Sequence, residues 1–454
     1  MAPNIKVIIA GGGVGGLLTA MLLERANIDY VVLERASEYK RLGAALTLSC
    51  QIVRLFDQLG LLEELILEAR LVKAMTFYNQ KLDLIGRTPL DHFKDRYGYA
   101  SIGMARPDFI EFLLRHVNKE KLLWSKKILS TEQNAEGVSV TCADGSVYKG
   151  DILIGADGAY STVREHMYRQ MQAEGVTVPE ADLLPLRFEM YCNVGVAYGL
   201  DPAKYSCFDS KWVELDGTLA SDEPFTIWVL PVNKGGIAWV AGGKRLQPKI
   251  DDHVQERETD WAIRTQEDLS EQLRDIKLPV GGTLGDLVDH TDPQAISRVL
   301  LEDKLFTTWY HGRTVLIGDA CHKLLPFGGQ GATQAMLDGI NLVNMLQALP
   351  ENKPEKIQQG FEAHRKARFP SAEGAFNSSV MAGKLSAERG FVADVSRALT
   401  LKYMPQFLVD YAMDILHRDR PIMNFLPSPP VLGSVPANPK VYAFPEEGAA
   451  ATAV

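Results

Sequence analysis

Ile5-Lys6-Val7-Ile8-Ile9-Ala10-Gly11-Gly12-Gly13-Val14-Gly15-Gly16 stands at the start of the chain, and its reading decides the fold. The β-branched run ending at Ala10 predicts a central parallel strand, and the residues after it put Gly11, Gly13 and Gly16 on a GxGxxG spacing. The helix that follows, from Val14 to about Ala26, is rich in Leu, Ala and Met. Its first amides, Val14 included, together with the helix dipole, suit a pyrophosphate. Tyr30-Val31-Val32-Leu33 then predicts a second strand that ends on Glu34. A carboxylate there suits the two hydroxyls of an adenosine ribose, and Arg35 beside it is either a 2′-phosphate contact or a surface charge. Strand, glycine turn, helix, second strand and terminal acid in register predict a dinucleotide site.

Two distant segments bear on which dinucleotide. Gly312-Arg313-Thr314-Val315-Leu316-Ile317-Gly318-Asp319-Ala320 reads as another buried strand closing on Gly-Asp. Pro326-Phe327-Gly328-Gly329-Gln330-Gly331-Ala332-Thr333 then opens a helix with Met336, Ile340, Val343 and Leu346 at helical spacing. Asp319 is placed to reach a polyol chain. Glycine amides near Gly331 can approach a ring or its carbonyl oxygens without side-chain obstruction. These segments resemble the GD motif and following helix start of the class A, para-hydroxybenzoate hydroxylase-like FAD-dependent monooxygenases. The resemblance implies that Asp319 binds the ribityl chain of FAD and that Pro326, Gly329, Gly331 and Ala332 border the isoalloxazine. It extends to Asp151-Ile152-Leu153-Ile154-Gly155-Ala156-Asp157-Gly158-Ala159-Tyr160-Ser161-Thr162-Val163-Arg164, where Asp157 and Arg164 inherit contacts to FAD and the transient nicotinamide cofactor. Gly43-Ala44-Ala45-Leu46-Thr47 resembles the flavin-edge loop, which gives Ala45 a cofactor contact. Met104-Ala105-Arg106-Pro107-Asp108 resembles the segment whose arginine, here Arg106, touches FAD. Thr333 departs from the asparagine usual in the family.

The implied fold is α/β: a Rossmann-like FAD-binding domain of glutathione reductase type, interleaved with an α+β substrate domain built on an antiparallel sheet. Residues 1–70, 101–175 and 296–350 are assigned to the first, and 71–100 and 176–295 to the second. Residues 351–454 form a C-terminal helical region and Pro-rich tail, with 449–454 frayed. Within the second domain, Arg187 to Val196, Phe225 to Pro231 and Ile237 to Ala241 read as antiparallel strands forming a cavity wall, to which 71–103 add. Residues 251–305 read as helices.

The 454 residues are 46% hydrophobic, enough for a large core, and the formal net charge of −9 with no long basic stretch excludes a nucleic-acid footprint. Five scattered cysteines offer neither a disulfide framework nor a metal-ligand spacing, so a reducing, cytoplasmic location and no metal are expected. No signal peptide is read. Apolar stretches near 399–416 are broken by Lys402, Pro405, Asp410 and Asp414, which leaves no transmembrane span but leaves room for peripheral membrane contact.

The resemblance implies that FAD, reduced by NAD(P)H, adds O2 to give a C4a-hydroperoxide whose terminal oxygen passes to a lipophilic aromatic, terpenoid or alkaloid substrate, by hydroxylation or epoxidation. No second fingerprint marks a dedicated nicotinamide domain. Tyr191, Phe225, Trp228 and Trp239 are candidate walls of the pocket, with ordinary core packing the competing reading for each. Fungal epoxidases and hydroxylases of secondary metabolism carry a basic residue before a Cys-x-x-Gly. Here Met190-Tyr191-Cys192-Asn193-Val194-Gly195 puts Tyr191 in that place, with Arg187 on the same strand and of the same parity. Both are candidate catalytic residues. His322 is expected to pack or hydrogen-bond beside the cofactor. A halogenase is disfavoured because Trp228-Val229-Leu230-Pro231 lacks the first tryptophan of its signature. A prenyl-substrate reductase and a non-catalytic FAD-binding protein stay as alternatives.

Overall fold

The computed structural model describes residues 4–244 and 271–438. The helical reading of 251–270 and the frayed end at 449–454 lie outside the described residues. Lys6–Ala10 forms the strand the sequence predicts, apolar and buried from Val7 onward, between the parallel strands Asp29–Leu33 and Ile152–Gly155. Thr314–Leu316 continues the sheet in parallel on one side and Leu122–Leu123 on the other, with Tyr310–His311 antiparallel at the edge, giving six strands. A parallel strand buried on both faces must be apolar throughout. Ile9 and Val32 pack toward the helices Val14–Arg25 and Gly331–Gln347, and Ile8 and Leu153 toward the helix Thr162–Ala173.

A second, larger sheet runs in the order His322–Lys323, Ser297–Leu305, Arg187–Ala197, Gly236–Lys244, Phe225–Val232, Trp212–Thr218, Arg70–Tyr78, Ile102–Ala105, Ala45–Leu48. Leu84–Pro89 pairs with Arg70–Tyr78 as its tenth strand. Because side chains alternate across a strand, the sheet has two distinct faces. Cys192, Val194, Val196, Leu230, Val232 and Ala238 share a core with the six-stranded half, whereas Phe225, Ile227, Val229, Trp239 and Ala241 pack on the outer side around Leu284, Leu287 and Val288. The helical reading of 251–305 fails at its end. Ser297–Leu305 is a nine-residue strand paired along Arg187–Ala197, and it belongs to the large sheet rather than to the Rossmann-like half.

At the C-terminal end, Pro354–Ala387 is one long helix despite Pro370, followed by Phe391–Arg397 and Gln406–His417. The segment after them is tied back to the first half of the chain. Gln51, Arg54 and Gln58 donate to main-chain carbonyls of Asp419, Arg420 and Met423, at 2.8, 2.8 and 2.9 Å.

Candidate cofactor and substrate site

Gly11 turns the chain at φ +105° under the carbonyl of Ala156, so close that a Cβ would lie 2.4 Å from that oxygen. At Gly16 a Cβ would come within 2.0 Å of the Gly11 carbonyl, so the helix can start tight against the turn only with glycine there. Gly13 is the opposite: a Cβ there meets nothing within 4 Å. Val14–Arg25 begins on Gly13 with no side-chain cap, so its first amides have no side-chain acceptor and face that open cradle. Glu34 ends the second strand as expected. Its Oε2 accepts from Gly12 N at 2.7 Å and its Oε1 from Ala36 N at 2.8 Å, which fixes the carboxylate beside the turn. Arg35 is exposed.

The other motifs converge on the same region. Ala335, in the first turns of Gly331–Gln347, would meet a Cβ at Gly15 at 3.3 Å and one at Gly318 at 2.9 Å, so this helix touches both the glycine turn and the GD turn. Asp319, about one-third exposed, accepts from Lys323 Nζ at 2.6 Å. Its negative field reaches Arg106, whose pKa burial pulls below the ordinary arginine range while Tyr39 and Asp319 oppose that fall. Arg106 opens the helix Arg106–Arg115, donates to Leu42 O at 3.0 Å and packs its Cδ against Gly43. Ala45 pairs with Ala105 in the adjoining strands, one residue from Arg106. Pro326 starts a short turn that ends at Gly329, φ +62°, near Thr47 Oγ1. Gly331 then opens its helix without a side-chain cap and with space where a Cβ would stand; Ala332 is half-buried beside it and Thr333 is buried.

Asp157 and Arg164 are engaged by protein. The Asp157 carboxylate accepts from Ser161 Oγ at 2.5 Å and Val163 N at 3.1 Å, and burial raises its pKa. Arg164 donates to Ala159 O and Ala320 O, both at 2.8 Å, and lies over the Phe306 ring. It clamps the DG segment to the GD turn.

Sequence reasoning missed the group that holds the GD turn from behind. Asp338, fully buried, accepts from Gly318 N at 2.9 Å, contacts His322 Nε2 at 2.6 Å and accepts from Arg368 Nε at 2.8 Å. Burial alone would raise the Asp338 carboxyl, but His322 and Arg368 together outweigh it and hold the group below the usual carboxylate range. His364, against Asn341 Oδ1 at 2.6 Å, is pushed down to about 4 by burial, with Arg368 and His322 adding to the fall. Cys321, His322 and Asp338 bring donor atoms within 4.8 Å of one another, yet the Asp338 oxygens are already committed and burial drives the Cys321 thiol far up. The available signal was a lone carboxylate inside the apolar stripe of a helix.

Across from these motifs stands the inner face of the large sheet. Trp228 pairs with Val240 and Gly217, lies flat over Gly217 and meets Phe77 edge-on. Its Nε1 is buried with no hydrogen-bond partner among the described residues. Cys192, on the same face, is a neutral thiol pushed up to about 12 by burial. Tyr191 is not on this face. It alternates with Cys192, pairs with Gly243 and Leu300, and lies against the Arg298 guanidinium, on the side where Phe225 and Trp239 form the outer core. Trp239 donates there to Thr291 at 2.9 Å. Of the four candidate wall aromatics, only Trp228 faces the cofactor half. In the strand register a bulge between Phe188 and Met190 sets Arg187 opposite Asp303 and Tyr191 opposite Leu300.

The residues present fit FAD: an open glycine cradle at an uncapped helix start, a fixed carboxylate at the next strand end, a second carboxylate near an arginine, and a second uncapped helix opening on glycine.

The family described as FAD binding domain matches residues 4–199 and 203–373. An FAD-dependent monooxygenase of Penicillium polonicum is 30% identical over 450 residues, covering 96% of this chain and 54% of that protein, so the chain spans about half that relative's length. Another, from Penicillium paxilli, is 28% identical over 443 residues, covering 94% of this chain and 88% of its own. Among solved structures, HpxO of Klebsiella pneumoniae complexed with FAD and uric acid superposes with a TM-score of 0.72 at 20% identity, covering 91% of this chain and 96% of that one. A salicylate hydroxylase substrate complex gives 0.66 at 21% identity, over 90% and 96%.

Proposed function

The chain belongs to the FAD binding domain family, and we propose that it is an FAD-dependent monooxygenase that inserts one oxygen atom of O2 into a lipophilic aromatic, terpenoid or alkaloid small molecule, with NAD(P)H as reductant. One observation carries this reading: the glycine turn and the GD turn both lie against Ala335 of the helix opened by Gly331, with open room where a Cβ would stand at Gly13 and at Gly331, and the inner face of the large sheet shares an apolar core with that half. Bound FAD, once reduced, supplies the oxygen-transfer chemistry. The amides from Gly13 and Val14 hold the pyrophosphate, with Gly11 and Gly16 keeping the turn tight beneath it. Glu34 orients the adenosine ribose. Asp319 takes the ribityl hydroxyls, its charge balanced by Lys323 and by the field of Arg106. Pro326, Gly329, Gly331 and Ala332 let the backbone border the ring without side-chain obstruction, and Ala45 closes the edge.

Val194, Val240 and Leu215 on the sheet face exclude water from the reacting centre. In that apolar wall the Trp228 indole N–H is a donor fit to orient a single substrate oxygen. Tyr191, on the outer face of the sheet, has no part in this mechanism. Whether the product is a phenol or an epoxide follows from whether the substrate offers a ring or an alkene. Five cysteines, all unpaired, support a reducing, cytoplasmic location.

The purified protein is expected to be yellow and to consume NAD(P)H faster when a suitable aromatic or polyprenyl compound is added, giving a product heavier by one oxygen atom. Stimulated consumption with no oxygen gained would point to a reductase. A yellow protein unmoved by every compound would point to a non-catalytic flavin binder, and a colourless protein that refuses added FAD would sink the reading altogether.

A further inference from the structure

Among the described residues, large apolar side chains stand exposed most densely on the last helices. From Phe391 every fourth residue is large and apolar: Phe391, Val395 and Leu399, then Tyr403, Phe407, Tyr411 and Ile415, each between 40% and 82% exposed. Val392, Met404 and Leu408 widen the row. Within Phe391–Arg397 four-residue spacing puts Phe391 and Val395 on one side, and within Gln406–His417 it does the same for Phe407, Tyr411 and Ile415, while the other side of each helix is already committed. Ala393 and Arg397 are buried, Asp414 accepts from Arg96 and Tyr97, and His417 packs against Phe93 and Tyr97. Phe391–Arg397 and Gln406–His417 are therefore docked by one face and carry a second apolar face turned outward. Exposed apolar residues scattered singly need no explanation, but ten of them within residues 391–415 do.

Beside the ridge lies a cleft of about 370 Å³, lined by Lys81, Arg397 and Lys402 together with Asp222 and Asp394. Lys81 and Asp222, both largely exposed, stand 3.4 Å apart; Arg397 is buried and engaged by Leu385 O, Glu388 O and Asp394, so the charges the cleft presents are those of Lys81, Lys402, Asp222 and Asp394. Cationic and anionic groups side by side match a headgroup that itself carries a phosphate and an ammonium. A purely anionic surface would suit neither this mixture nor a chain of net charge −9. Tyr403 and Tyr411 have the amphipathic rings that settle at a water–hydrocarbon boundary, and Lys402 can keep its ammonium in water while its stem lies along apolar surface.

We propose that residues 391–415 form a docking ridge that lies in the interfacial layer of a zwitterionic phospholipid bilayer, with the neighbouring cleft over the headgroups. The contact is peripheral, since no helix among the described residues is long and apolar enough to cross a membrane.

The test uses the full chain and phosphatidylcholine vesicles in a flotation assay. The protein is expected to float with the vesicles, with little change on raising salt. Phe407→Ser combined with Tyr411→Ser, at exposed positions, should lower the vesicle-bound fraction about tenfold with far-UV circular dichroism and thermal midpoint unchanged. Absence of flotation would overturn the proposal. So would flotation only with phosphatidylserine-containing vesicles that is lost at high salt. Concentration-dependent dimerisation abolished by the same substitutions, without vesicle binding, would assign the ridge to a second copy of the chain and overturn it equally.

Discussion

Gly13 and Gly16 stand three residues apart and carry opposite constraints. Alanine at Gly16 would drive a methyl group into the Gly11 carbonyl, whereas alanine at Gly13 meets no protein atom within 4 Å. Gly16→Ala is expected to lower the thermal midpoint by several degrees, about 1–3 kcal/mol of backbone displacement. Gly13→Ala should leave circular dichroism and the midpoint of the FAD-free protein within about 0.5 kcal/mol of the parent while raising the FAD dissociation constant roughly tenfold or more, a loss of about 1.4 kcal/mol. Flavin titration of the two variants decides it: a Gly13→Ala protein that binds FAD as tightly as the parent would mean the pyrophosphate does not cross this turn. At this scale the sequence was informative where a backbone has no alternative, as in the glycine turn and at Glu34. It was uninformative about Tyr191, because which face a strand residue takes depends on register and on a bulge at Phe188–Met190 that no local pattern announces.

The helix Gly331–Gln347 does two jobs through one buried carboxylate. Its start opens toward the site, and Asp338, two turns on, anchors Gly318 of the GD turn while balancing Arg368 from the long helix Pro354–Ala387. Asp338→Asn removes the charge and leaves Arg368 buried without its carboxylate, at a cost of about 3–5 kcal/mol. The expected result is a large fall in thermal midpoint together with weaker FAD retention. Replacing the pair together, Asp338→Leu with Arg368→Met, should recover much of the stability but not the FAD affinity, since leucine leaves Gly318 N without its side-chain acceptor. Recovery of both in the double variant would show that the carboxylate does not position the turn. This coupling was hidden because its partners are 16 to 30 residues apart. Ser297–Leu305 was misread for a different reason. Its Val-Leu-Leu-Glu-Asp-Lys-Leu run satisfies helical spacing locally, and its pairing partner lies more than 100 residues away in Arg187–Ala197.

Over the whole molecule, acid should loosen the structure through two histidines that fold in their neutral form. Burial pushes His364 and His417 each down to about 4, below the ordinary histidine value of about 6.5. The unfolded chain therefore binds protons first: their stabilisation is complete above pH 6.5 and is lost as pH falls toward 4, on the order of 2 kcal/mol each by pH 5. The thermal midpoint is expected to drop steeply between pH 7 and pH 5, and His417→Gln to flatten part of that slope. A profile level across this range would contradict the buried neutral state. The fold class and the order of the cofactor motifs were legible because buried parallel strands are apolar without interruption. The wall of the pocket was not, since aromatic residues on both faces of an antiparallel sheet look alike until the register is known.

That division of the sheet has a practical outcome for anyone reshaping this site. Positions such as Leu215, Trp228 and Val240 can be randomised together to change which molecules are accepted, because their neighbours in sequence, pointing the other way, keep the scaffold intact. A library that deletes or inserts one residue within Phe225–Val232 would instead swap lining for scaffold in a single step, and most of its members should never reach an assay.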